Sequence, residues 1–323
     1  MGMRILGNSG IRVSRMCLGT MTFGTDWGWG ADEEQARAIY TAYRDAGGNF
    51  IDTANVYTNG TSEEMVGRLV AGERDRVVIA TKFTFATDAN DANTGGSHRK
   101  SLRRSVETSL RRLGSDHIDV LWMHAWDQCT PIEETMRALD DLVRAGTVLA
   151  IGVSNTPAWV AARADAIAEL RGWTSFCGMQ VPYSLAERAV ERELLPLARA
   201  RGMLALAWSP LGRGRLTGKH APDTLSPAER GAVDVVAEVA KAIDATPAQV
   251  ALAWVLHHGL VPVLGARTLE QVRDNLAAAD VQLGHDHLEL LDAATRPDLG
   301  YPHEWLDAPH RRAQFSRETV EGS

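Results

Sequence analysis

Cysteine is scarce: the chain has three in 323 residues, Cys17, Cys129 and Cys177, far apart and with no Cys-x-x-Cys pair. So odd and scattered a set excludes a disulfide framework and offers no zinc spacing, and it suits a reducing cytoplasm. Long apolar runs are missing as well. The longest uncharged stretch, Ala245 to Ala266, is broken by Pro247, His257, His258, Gly259 and Pro262, and reads as a buried helix, a turn and a strand rather than a membrane span. The N-terminus lacks an apolar signal core, and Leu6 stands where a myristoylation signal after Gly2 needs Ser or Thr, so neither export nor an anchor is expected. Positive charge is in the minority, 34 basic against 41 acidic residues, and the net −7 repels nucleic acid and favours a small-molecule partner. No linker, low-complexity tract or repeat divides the chain, and His257-His258 and His285/His287 carry no ligand pattern around them, so no metal site is expected. Nothing in the sequence fixes the oligomeric state.

What is present is an ordinary core-forming composition, 45% hydrophobic and 23% charged. Length alone leaves one large domain or two open. Met3 to Arg15 reads as a β-hairpin around Asn8-Ser9-Gly10. After it, short apolar strands alternate with amphipathic helices. The strands are Met16–Thr20, Phe50-Ile51, Val77–Thr81, Ile118–Met123, Leu149–Val153, Phe176–Val181, Met203–Ala207 and Val261–Leu264. Helices follow at Asp32–Ala46 with Gln35 completing a capping box, at Ser62–Val70, and at Arg99–Leu113 with Leu102, Val106 and Leu110 on one stripe. Further starts are Thr130-Pro131-Ile132-Glu133, Thr156-Pro157, a helix through Arg188 to Arg201, Ser226-Pro227, Thr246-Pro247, and a last helix at Thr268 with Gln271.

Eight such units predict an α/β chain closed into a (β/α)8 TIM barrel over residues 1–323, with the hairpin at the barrel bottom and extra helices between strands seven and eight. A doubly wound sheet is the rival, but no Gly-x-Gly-x-x-Gly follows the first strand. In a barrel the site stands at the C-terminal strand ends. Those ends carry, in order, Gly19-Thr20-Met21, Asp52 with Tyr57 five residues on, Lys82, His124, Ser154-Asn155, Gln180, Trp208-Ser209 and Gly265-Ala266-Arg267.

In this order and company the chain resembles the aldo-keto reductases over nearly its full length. Met123-His124-Ala125-Trp126-Asp127 followed by Thr130-Pro131-Ile132-Glu133 is similar to the bacterial aryl-alcohol dehydrogenase-like branch. The resemblance implies metal-free carbonyl reduction with NADPH, Tyr57 as general acid and Asp52, Lys82 and His124 completing a tetrad. The chemistry asks for these types: hydride reaching a carbonyl carbon builds charge on oxygen, which needs a donor and then a proton. Tyrosine is a poor acid at its usual pKa of about 10. A Lys82 ammonium at ~4 Å would lower that by up to roughly 3 units at an effective dielectric of ~20. Asp52 would keep Lys82 charged, and His124 could donate to the same oxygen.

For the cofactor, the resemblance implies Ser154, Asn155 and Gln180 on the nicotinamide amide and Trp208 stacked on the ring, the alternative for Trp208 being plain core. Gly19, Thr20 and Met21 belong to the same mouth. Ser209, Pro210, Leu211, Gly212, Gly214 and Lys219 resemble a loop over the pyrophosphate, with a shorter segment from Lys219 to Ala232 than many relatives carry. Gly265, Arg267, Gln271 and Asn275 would hold the adenosine end, the Arg267 guanidinium and the helix N-terminus favouring NADPH. Gln271 serves also as a capping partner. Trp27, Trp29, Phe85 and Trp126 form either a pocket wall or loop packing. Arg99, Lys100, Arg103, Arg104, Arg111 and Arg112 read as a solvated helix face. Two other classes stay open: a non-catalytic NADPH sensor similar to potassium-channel β subunits, and a Schiff-base aldolase using Lys82, which Asp52 disfavours by keeping the amine protonated.

Overall fold

Every residue of Val78–Phe83 and of Ile118–Met123 is buried, which a strand achieves only with both faces covered. In the structure, a computed structural model describing residues 1–219 and 222–314, these are β5 and β6 of a closed parallel barrel. Its other strands are β3 (Cys17–Gly19), β4 (Phe50–Asp52), β7 (Val148–Ser154), β8 (Gly178–Pro182), β9 (Leu204–Trp208) and β10 (Val261–Gly265). Pairing runs in chain order from β3 to β10, and β10 closes on β3 through Val263↔Cys17 and Gly265↔Gly19. The expected (β/α)8 barrel is therefore what the chain forms.

Alternation decides what each face holds. Val78, Ala80, Val120 and Trp122 point inward with Cys17, Phe50 and Leu206, whereas Ile79, Phe83 and Leu121 face the helices. Trp122 is fully buried because two neighbours lack a side chain: a Cβ on Gly152 would lie 2.0 Å from its ring. Below it sits the hairpin of β1 (Met3–Ile5) and β2 (Arg12–Ser14). Leu6 and Val13 are 0% exposed and join the inner cluster, and Asn8 donates to the Phe176 carbonyl just before β8, so the hairpin does plug the bottom. Each fully buried aliphatic side chain here contributes about 1.5–3 kcal/mol.

Outside lie α1 (Glu33–Asp45), α2 (Thr61–Val70), α3 (Arg99–Leu113), α4 (Ile132–Arg144), α5 (Ala158–Arg171) and α6 (Leu194–Ala200). Between β9 and β10 come α7 (Pro227–Ala242) and α8 (Pro247–His257), both opened by full capping boxes on Ser226 and Thr246. After β10 runs α9 (Leu269–Ala277). It is not the last helix: α10 (His285–Ala294), α11 (His303–Asp307) and α12 (Pro309–Gln314) follow. Three further expectations need correction. The helix through Arg188 to Arg201 is a single tight turn at Ala189–Glu191 and then α6, because Pro196 has no N–H and its ring clashes with a helical carbonyl four residues back. Thr130 does not cap α4; its hydroxyl donates to Asp127 at 2.6 Å and Pro131 takes the cap position. Thr156 likewise donates to the Ser154 carbonyl and leaves Pro157 to open α5.

Candidate active site

Asp52 ends β4 and Lys82 lies one residue from the end of β5, both pointing into the barrel. The Lys82 ammonium donates to Asp52 Oδ2 at 2.5 Å and to the Thr53 carbonyl at 2.8 Å, with the two side chains 0% and 2% exposed. Gln180 on β8 donates its amide to the other Asp52 oxygen at 3.0 Å, and the Ser154 hydroxyl donates to the Gln180 carbonyl at 2.9 Å. The carboxylate thus spends one oxygen on the charge and one on an amide, which is how a buried ion stays tolerable. Burial pulls Lys82 toward the neutral form, but Asp52 and Tyr57 outweigh it and its pKa is raised. Cys17, just below, has its thiol pushed well up by burial and by Asp52.

Tyr57 stands over this pair. Lys82 Nζ lies 4.7 Å from the centre of its ring, and the His124 ring meets it edge-on at 6.0 Å. The expected fall in the phenol's pKa is not the net outcome. Burial raises it, and Lys82, although it lowers it, does not compensate fully, because the same enclosure that strengthens the ammonium's field also strips water from the phenolate. His124 follows β6 and is held by its backbone, its N–H donating to the Phe83 carbonyl and its carbonyl accepting from Asn155. Burial, aided by Lys82, lowers its pKa to about 3, so the ring is neutral at ordinary pH. Its Nδ1 is buried without a hydrogen-bond partner, and Phe85 packs 4.4 Å from the ring. A phenol and a neutral imidazole therefore converge above a fixed ammonium. Such a set can donate to an oxygen on which negative charge develops.

The other expected residues fall around the same rim. Gly19 is held between neighbouring strands, where a Cβ would come 2.7 Å from Val263. Thr20 is buried with its hydroxyl on the Asp52 carbonyl, and Met21 is exposed. Trp208 ends β9 with its ring N–H buried and unpartnered. From Ser209 the chain turns on itself through buried Pro210, Leu211, Gly212 (φ 57°) and Gly214 (φ 88°). Lys219 is exposed, and the segment just beyond it, residues 220–221, lies outside the described residues. Gly265 faces open space, with no atom within 4 Å of where a Cβ would stand. Arg267 beside it is exposed and makes no ion pair among the described residues. Gln271 accepts from the Arg267 N–H at 2.8 Å rather than closing a full capping box on Thr268. Asn275 is buried and spends its amide on the Gly265 carbonyl at 3.3 Å. An unpartnered indole N–H, glycine turns, an open strand end and a free guanidinium at the start of α9 fit a dinucleotide laid from β9 to α9.

The aromatic wall divides. Phe85 reaches His124, whereas Trp27 and Trp29, about two-fifths exposed, pack on each other with centroids 5.7 Å apart and make no ring contact with Tyr57 or His124 among the described residues. Trp126 meets Trp159 of α5 edge-on at 5.5 Å, a partner that the helical pattern of α5 did not single out. What decides the matter of kinship is the whole chain. The sequence profile of the Aldo/keto reductase family matches residues 15–296. The chain belongs to the aldo/keto reductase family. It is 38% identical to a norsolorinic acid reductase of Emericella nidulans, covering 96% of this chain and 86% of that protein. It is 35% identical to an aryl-alcohol dehydrogenase of Pestalotiopsis microspora (93% and 83%) and 35% to an aldo-keto reductase of Aspergillus calidoustus (94% and 84%). These relatives are fungal, so the expected bacterial branch is not the one they indicate, although aryl-alcohol dehydrogenase is among their names. As a family member this aldo-keto reductase is an oxidoreductase that uses NAD(P)H on a carbonyl substrate.

Two buried polar residues escaped the sequence reading. Glu63 is fully buried on α2, and Arg112, expected on a solvated face, is four-fifths covered and bonded to it. Arg99, Arg103 and Arg104 do lie at the surface in ion pairs. The only signal for Arg112 was its place beside Leu113 at the end of the apolar stripe, which a run of arginines masks.

Proposed function

We propose that this aldo-keto reductase is an NADPH-dependent reductase of aromatic aldehydes or ketones, with Tyr57 as proton donor. The observation that carries it is the buried Lys82–Asp52 pair directly beneath Tyr57, with neutral His124 edge-on to the same ring. NADPH, when bound, supplies the hydride. The chain's own part is to hold the carbonyl oxygen with Tyr57 and His124 and to hand it a proton from Tyr57, which Lys82 makes easier to release. Arg267 at the start of α9 would take the 2′-phosphate, and Trp208 the nicotinamide face. The names of the relatives, with Phe85, Trp126 and Trp159 at the mouth, favour aryl substrates. A single barrel domain over 1–323, of which 220–221 and 315–323 lie outside the described residues, and a reducing cytoplasm that suits three unpaired cysteines belong to this reading. An aldolase role is disfavoured because Lys82 is held protonated.

The test is NADPH oxidation over a panel of aromatic and aliphatic aldehydes, quinones and keto-sugars, with Tyr57→Phe alongside. Turnover should be greatest on aryl carbonyls, and Tyr57→Phe should lose about 100-fold or more in kcat while binding NADPH normally. No turnover by the wild type would favour the sensor reading. A Tyr57→Phe variant keeping over about a tenth of kcat would remove Tyr57 as the donor.

A further inference from the structure

The loop carrying Tyr57 needs an external hold. Two consecutive non-glycine residues after it, Thr58 (φ 45°) and Asn59 (φ 56°), sit in the left-handed region, which persists only where surroundings impose it. Thr58 is fixed by its hydroxyl, which donates to the Phe23 carbonyl at 2.7 Å. The stronger constraint comes from α3. Arg112 Nη1 donates to the Asn55 carbonyl at 2.8 Å, and Nη2 donates to the Asn59 carbonyl at 3.4 Å. One guanidinium therefore bridges the carbonyls two residues before and two residues after Tyr57. Gly60 closes the loop directly onto it: a Cβ there would lie 2.2 Å from Arg112 Cζ.

The guanidinium is itself anchored. Glu63, 0% exposed, accepts from Arg112 Nη1 at 3.1 Å on one oxygen and from the Thr81 hydroxyl at 2.6 Å on the other. Thr81 immediately precedes Lys82, and its side chain faces α2 because Lys82 faces the interior. The Asn55 N–H also donates to the Lys82 carbonyl at 3.3 Å. Loop, α2, α3 and the strand bearing Lys82 thus meet at one fork. The guanidinium spreads these three acceptors over two nitrogens of a rigid fork, whereas a lysine ammonium would have to serve all of them from a single point.

We propose that Arg112, oriented by Glu63, is a positioning residue for carbonyl reduction: it holds the Asn55–Gly60 loop so that the Tyr57 phenol stands above Lys82 and beside His124. This rests on Tyr57 being the proton donor. A displacement of about 1 Å at a reacting group can cost on the order of 100-fold in rate without touching ligand affinity.

The experiment uses full-length Arg112→Ala, Arg112→Lys and Glu63→Gln, with Arg68→Met as a control from an exposed ion pair between α2 and α1. Each is assayed for NADPH Kd, kcat, thermal melting, and the primary isotope effect with NADPH deuterated at the transferred position. Expected for Arg112→Ala are a kcat lower by about 10- to 100-fold, a Kd within about threefold, a larger isotope effect and partial recovery on adding millimolar guanidinium. Arg112→Lys should fall between it and the wild type, and Arg68→Met should match the wild type. Should Arg112→Ala not fold, Arg112→Lys and Glu63→Gln carry the same test. Lowered melting with unchanged kcat and isotope effect in those two variants would overturn the clamp. If Tyr57→Phe stays active, the donor reading falls and takes the clamp with it; if Tyr57→Phe is dead while the Arg112 variants are normal, only the clamp falls.

Discussion

Asp52→Asn tests the charge pair at the barrel mouth without reference to any substrate. Lys82 and Asp52 are 0% and 2% exposed and 2.5 Å apart, and Lys82 keeps its proton only because Asp52 and Tyr57 outweigh the pull of burial. Removing one partner of such a pair strands a buried charge, at a cost of about 3–5 kcal/mol. At about 2 °C per kcal/mol for a chain of this size, the melting temperature should fall by roughly 6–10 °C. Lys82→Met should cost a similar amount by leaving the Asp52 carboxylate with only the Gln180 amide among the described residues. The double variant removes both charges and refills the space with an apolar stem, so it should lie closer to the wild type than either single change. Circular-dichroism melts and urea titrations of the four proteins close the cycle. Single variants that lose under about 1 kcal/mol, or a double whose loss is the sum of the singles within about 0.5 kcal/mol, would refute the coupling.

Arg267→Ala should weaken NADPH by about 10- to 150-fold in Kd and NADH by under about threefold, since only NADPH presents a 2′-phosphate for a charge-assisted pair worth roughly 1.5–3 kcal/mol. Equal weakening of both in fluorescence titrations would remove Arg267 from the site. His124 makes stability depend on pH in a definite sense: its pKa is about 3 folded against an ordinary 6.5, so the unfolded chain binds a proton that the folded ring refuses. The contribution is whole above pH 6.5 and is lost as pH falls toward 3, at up to about 1.4 kcal/mol per pH unit. His124→Gln should therefore show a flatter stability profile between pH 6.5 and 4, and parallel profiles would contradict the assignment.

The barrel was legible because its signal is local and repeated. A strand such as Ile118–Met123 is uniformly apolar for being covered on both faces, and a Ser226-Pro227 start is a capping box whatever surrounds it. Reading failed where a distant residue competes for a local group. Thr130 looks like a helix cap until Asp127 takes its hydroxyl, and Pro196 breaks a helix that a row of Leu and Arg otherwise suggests. At the site, strand-end residues could be placed because the barrel puts all such ends on one rim. Arg112 could not, since two of its three partners are backbone carbonyls, which no side-chain pattern advertises. The direction of Tyr57's shift was missed for a related reason: spacing shows a neighbouring ammonium but not how much water the fold removes.

The indole of Trp122 has one more effect. Seated on Gly152 and Gly178, with the hairpin pressed beneath, it makes the barrel a cup and not a tube. Among the described residues, Lys82 then faces the rim where Phe85 packs on His124. The protein itself already shuts the ammonium away from bulk water, and the apolar cluster of Leu6, Phe50 and Trp122 beneath it leaves ligand and proton traffic to share the rim above.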